Sequence, residues 1–240
     1  MGNRVYLYNL TGAVSAADLR LDSIDQAPES LRGTLSDIKH TEICDTNNTG
    51  IPIPWMLYFG MEDFQPAKVM WSDDTTKELQ MPRTSVGQAR QRILDARPVF
   101  ERLAGDVAIA KEYWQEALDL LERLPFPFLA MDHLEWLSMT SEDVEADFME
   151  FKRAYSRGVP VDDFLSDWSG YTFNTKPFSH AEWERLVRRF DRNNIRQMNA
   201  IAMGYGHSGY SKLHVYEGIG DQSKGPTIVE TPRASSTQPT

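Results

Sequence analysis

The sequence predicts an α+β fold, a small and mainly antiparallel sheet packed with several amphipathic helices and followed by a flexible C-terminal tail. Three observations lead there. The chain opens on an alternating, aromatic and β-branched segment, Val5 to Leu10 (VYLYNL), which reads as a strand. Its middle carries apolar residues at three- and four-residue steps, the mark of helices that bury one side. Beyond Gly220 the composition turns to Ser, Thr, Pro and Gly, which cannot bury enough apolar surface to order a chain. With 240 residues, 41% hydrophobic and 11% aromatic, one domain over residues 1–220 is expected, with 221–240 as its tail.

After the first strand, residues 11–50 are polar and punctuated by Gly12, Pro28, Gly33 and the run Asp45 to Gly50, with a short helical piece at Ser15 to Leu21. Ile51 to Gly60 (IPIPWMLYFG) is a compact apolar run whose period fits either an extended entry or a helix start. Val69-Met70-Trp71 reads as a short strand. From Ser85 a helix places Val86, Ala89 and Ile93 on one side, and Pro98 is expected to kink or restart it after Ala96. The clearest helix spans Asp106 to Leu124, with Ala110, Tyr113, Trp114, Ala117, Leu118, Leu121 and Leu124 in one stripe, stopped by Pro125 and Pro127.

Phe128 to Met139 reads as a strand. Thr140-Ser141-Glu142-Asp143 then has the spacing of a capping box, and Val144, Phe148, Phe151 and Tyr155 form the inward stripe of the helix it opens. A second capping box, Ser179 to Glu182, with Phe178 and Trp183 as a hydrophobic staple, begins a helix running to about Met203. Lys212 to Tyr216 is the last strand.

The formal charge of -10 argues against nucleic acid, whose phosphates repel an acidic surface, and for a basic partner. A single cysteine, Cys44, excludes an intramolecular disulfide framework and fits a reducing compartment. The opening residues lack a secretory leader, Tyr6 stands where a myristoylation motif wants Ser or Thr, and no apolar run reaches the ~20 residues needed to cross a bilayer. A cytoplasmic protein is expected.

Motifs for chemistry do not assemble. Gly204, Gly206 and Gly209 in GYGHSGY match the dinucleotide spacing, yet a helix enters this stretch and a strand leaves it, the reverse of a phosphate-binding loop. Tyr210 stands where a nucleophile elbow needs glycine. The stretch reads as a helix-to-strand turn. Five dispersed histidines and one cysteine offer no metal-ligand spacing. Asp132, His133 and Glu135 form the densest group of metal-ligand types, and a strand turns Asp132 and His133 to opposite faces. No catalytic set, metal site or cofactor is expected. The rival reading is an enzyme with dispersed residues around Asp132, His133, Glu135, His207 and Ser208, and a third is a regulatory binder of a small ligand.

Surfaces carry the stronger signal. Arg185, Arg188, Arg189, Arg192 and Arg196 line one side of the helix opened by Ser179, suited to solvent, to a partner or to internal ion pairs. Between Ser141 and Asp167, eight acidic residues face three basic ones. The candidate partner-binding surface is Glu142, Glu145, Glu150, Asp162, Asp163 and Asp167, with Trp168 and Tyr171 as aromatic anchors.

Asn3-Arg4-x-Tyr6-Leu7-Tyr8 resembles the start of a family of uncharacterised bacterial cytosolic proteins opening M-x-N-R-x-Y-L-Y. The layout through residue 157 is similar: an apolar W/Y-rich segment, a helix before a proline break, a strand and an acidic helix. Some relatives resemble immunity proteins encoded beside antibacterial toxins. The resemblance implies a stoichiometric inhibitor that binds a cognate toxin, itself basic or bearing a cationic cleft, and has no catalytic residues of its own.

Overall fold

A computed structural model describes residues 5–20, 29–45, 51, 53–70, 76–104, 107–135, 142–155, 214–217 and 227–228. Its strands are β1 (Val5–Leu10), β2 (Lys39–Asp45), β3 (Phe64–Met70), β4 (Thr76–Ser85), β5 (Phe128–Asp132), β6 (His214–Glu217) and β7 (Thr227–Ile228). They form one sheet in the order β3-β4-β5-β1-β2-β6-β7, every neighbouring pair antiparallel. The helices are α1 (Glu29–Ser36), α2 (Ile53–Leu57), α3 (Val86–Asp95), α4 (Arg97–Ala104), α5 (Val107–Arg123) and α6 (Val144–Ala154), with 3-10 turns at Ala16–Arg20 and Met61–Asp63. The fold is α+β.

β1 is buried on both sides, since Leu7 and Leu10 are fully enclosed and Tyr8 nearly so. Its register sets Tyr8 between Glu42 of β2 and Ala130 of β5. A central strand leaves no wet face, so a buried polar residue on it must find internal partners. Asn9 does. Its Nδ2 donates to the Phe126 and Phe128 carbonyls at 2.7 and 2.8 Å, and its Oδ1 accepts from the Phe126 N–H at 2.9 Å. Pro125 and Pro127 flank Phe126 and lack N–H groups, so this turn cannot satisfy itself. The Pro127 carbonyl accepts from Val86 N, which joins the same turn to the start of α3.

The helices follow the sequence stripes. Ser85 caps α3, its hydroxyl accepting from Gln88 N, and Ala89 and Ile93 point inward. α4 restarts at Arg97, where Pro98 sits in a first turn that needs no N–H from it. α5 buries Ala110, Ala117, Leu118 and Leu121, and also Leu120. Trp114 donates to the Ile93 carbonyl and Tyr58 to the Ala117 carbonyl, which holds α5 against α3 and the end of α2. On β3, at the end of the sheet, the exposed Pro66 and Lys68 discourage pairing with another chain.

Several expectations need correction. The strand from Phe128 stops at Asp132 rather than Met139, because the Asp132 carboxylate accepts from Leu134 N and turns the chain into a helical step. The ambiguous apolar run resolves as the short helix α2, with Trp55, Met56 and Tyr58 in the core. Strands β2 and β4 and helix α1 arise in stretches that read as connections, and the two strands take their identity from pairing. The helix expected from Thr140 begins at Val144, capped by Asp143 through its bond to Ala146 N. The Ser179 to Met203 helix, the GYGHSGY turn and most of the tail lie outside the described residues. Within the tail, Thr227–Ile228 pairs with β6.

Asn9→Ala would leave three part-buried backbone groups short of a partner. We expect a loss of about 2 kcal/mol in urea unfolding, since a buried group left unsatisfied costs roughly 1–3 kcal/mol and water at this half-buried turn replaces part of what is lost.

Candidate functional site

α6 is built to present one face and anchor the other. Glu145 and Asp147 lie in its first turn and Lys152 and Arg153 in its last, each sign where the helix dipole favours it. Val144, Phe148 and Phe151 are buried beneath it. The Phe148 ring stacks on His133 at 4.4 Å, and Phe151 lies 4.5 Å from the same imidazole. Phe64 of β3 meets Phe151 and Tyr155 at 5.8 and 4.8 Å. Lys152 Nζ donates to Gln80 Oε1 on β4 at 2.9 Å. The inner face is thus fixed to two strands and the corner after β5.

The outer face of α6 and its approach carry Glu142, Glu145, Ala146, Met149, Glu150 and Arg153, all exposed. Met149 is 40% exposed, beside Met61 and Val107 one of three large hydrophobic side chains left open among the described residues. An apolar side chain ringed by charges is the composition of a protein-contact patch. The sequence reading missed Met149, although its place off the Val144/Phe148/Phe151 stripe was visible in the helical period.

Of the expected partner-binding residues, Glu142, Glu145 and Glu150 stand on this exposed surface. Asp162, Asp163, Asp167, Trp168 and Tyr171 lie outside the described residues, as do Arg185 to Arg196. The rival catalytic set fares differently. Asp132 and His133 are both fully buried, not split between two faces as strand alternation implied, because the strand ends at Asp132 and α6 closes over His133. Glu135 is half-buried, and His207 and Ser208 lie outside the described residues. Among the described residues no group of three or more His, Cys, Asp or Glu is arranged to hold a metal ion.

A second charged cluster is structural. Arg92 of α3 donates to the Asp63 carboxylate at 2.7 Å, to the Tyr58 carbonyl at 3.0 Å and to the Thr84 hydroxyl at 3.1 Å, and it also pairs with Glu62. Asp63 additionally accepts from Gly60 N at 2.7 Å. Burial raises the Asp63 pKa, while the Gly60 N–H and the Arg92 charge oppose that rise. A Cβ at Gly60 would stand 2.6 Å from the Glu62 carboxylate oxygens, so glycine lets Glu62 fold back toward Arg92. The cluster seals the 60–63 turn onto β4 and α3.

His40 of β2 meets the Tyr8 ring edge-on at 5.9 Å, and Tyr8 stacks with Tyr6 at 6.0 Å. Burial lowers the His40 pKa to about 4. Comparison with family models, with curated proteins and with solved structures gives no match. Among the described residues no helix is long and apolar enough to cross a membrane.

Two outcomes follow from these charges. Arg92→Met leaves the Asp63 charge buried without its cation, and unfolding should show a loss of about 3 kcal/mol. Lowering the pH should return part of that loss, since a carboxyl whose folded pKa is raised gains stability as it protonates. His40 has the opposite sign to a histidine whose folded pKa is raised, because burial lowers it. Its folded pKa lies below 6.5, so its contribution is complete above that value and falls away as pH drops toward 4. That component should reach about 3 kcal/mol and vanish in His40→Phe, read from unfolding curves between pH 7 and 4.

Proposed function

We propose that the chain is a cytoplasmic immunity protein that binds a cognate bacterial toxin and occludes its active cleft. The observation that carries the reading is the exposed face of α6, where Met149 stands among Glu142, Glu145 and Glu150 while the opposite face is anchored in the core. A preformed, rigid face costs little ordering on association, and its acidic rim would speed encounter with a basic surface. The acidic formal charge and the resemblance of Asn3-Arg4-x-Tyr6-Leu7-Tyr8 to the M-x-N-R-x-Y-L-Y family point the same way. Asp162, Asp163, Asp167, Trp168 and Tyr171 would extend the contact. Such a protein needs no chemistry of its own. The burial of Asp132 and His133 removes solvent access from the two residues on which the enzymatic alternative leaned most.

The test asks whether a secreted-toxin gene lies immediately upstream and co-expresses its product with this chain. Co-purification and rescue of growth are expected. Glu145→Lys with Glu150→Lys should weaken binding by roughly tenfold or more, mostly through a slower and less salt-dependent association rate. Unchanged affinity in that variant would move the contact off α6.

A further inference from the structure

Methionine is an apolar side chain that mild oxidants convert into a polar one, and burial decides which methionines of a folded chain react. Met56, Met81 and Met131 are fully enclosed in the core, so an oxidant meets their sulfurs only when the fold opens locally. Met61 and Met149 are 43% and 40% exposed. These two stand in different settings. Met61 lies in the turn that Arg92 closes, whereas Met149 is the largest apolar side chain on the open face of α6, with Glu145, Ala146 and Glu150 exposed around it.

We propose that Met149 is a reversible oxidation site, modified by hydrogen peroxide on the folded chain. The peroxide transfers one oxygen to the thioether. Its O–O bond breaks, it leaves as water, and the sulfur loses two electrons to become the sulfoxide. Peroxide carries no charge, so the surrounding carboxylates do not repel it. The fold does not depend on this side chain, because α6 is held by Val144, Phe148 and Phe151 in the core and by the Lys152 bond to Gln80. The sulfoxide therefore stands on an intact surface, open to the reductases that remove it.

The modification changes what this face can bind. A sulfoxide oxygen is a hydrogen-bond acceptor, added where Glu145 and Glu150 already present acceptors, and the face loses its main apolar contact. A pocket that takes the thioether would have to strip water from the S=O dipole without supplying a donor. This consequence rests on the reading of α6 as the toxin contact, whereas the modification itself is measured on the protein alone.

The full chain is treated with hydrogen peroxide, digested at intervals, and sulfoxide at each methionine is read by mass spectrometry. Met149 and Met61 should oxidise about tenfold or more faster than Met56, Met81 and Met131, and all should react alike once urea has unfolded the chain. The oxidised protein should keep its circular dichroism and its urea midpoint, and the two sulfoxide reductases, one for each epimer, should restore Met149 without unfolding it. Met149 reacting as slowly as the core methionines, a sulfoxide that lowers the urea midpoint in the parent and not in Met149→Leu, or a reduction that requires unfolding would each overturn the proposal. Where a toxin co-purifies, peroxide should weaken its binding about tenfold in the parent and in Met61→Leu, and leave Met149→Leu unaffected. Equal sensitivity in Met149→Leu would overturn the effect on binding. If no toxin co-purifies, it is the assignment of α6 as a toxin contact that fails, and the mapping still decides the site.

Discussion

Three hydrogen bonds from one buried amide organise this molecule. Asn9 lies on the strand at the centre of the sheet, and its carboxamide takes both carbonyls and the N–H around Phe126. That turn carries the chain from the longest described helix into the neighbouring strand, across a separation of 117 residues. Without Asn9 the two prolines beside Phe126, which lack N–H groups, would leave this half-buried turn without an internal partner for its polar groups. With it, α5 ends where β5 must begin, and the Pro127 carbonyl is left to receive α3. The strand order and the helix layer both register on this contact.

Two further polar elements extend the same logic outward. The Arg92 cluster closes the 60–63 turn and ties the last turn of α3 to β4. The Asp132 carboxylate ends β5 and brings His133 under α6, where Phe148 and Phe151 enclose it. Each is a buried polar group with defined partners, so each specifies one arrangement where apolar packing alone would accept several. The consequence for function is a helix whose inner side is committed and whose outer side is free to meet solvent or a partner. Rigidity on one face is what lets the other act as a preformed surface.

The sequence by itself determined the helices with long stripes, the opening strand and the fold class. Ala89 and Ile93, Ala117 and Leu121, Phe148 and Phe151 are inward because a 3.6-residue period leaves them no other place. It also determined that Glu142, Glu145 and Glu150 fall away from that inward stripe. Tertiary structure decided the rest. Lys39 to Asp45 and Thr76 to Ser85 become strands because neighbours offer them ladders, a long-range fact that local propensity does not contain. The end of β5 is set by one carboxylate bonding two residues on, and the start of α6 by another. Asp132 and His133 looked like chemistry at the level of residue types, and burial made them architecture. Periodicity records which side of an element is apolar, whereas what covers that side, and which polar group it traps, depends on chain segments more than a hundred residues away.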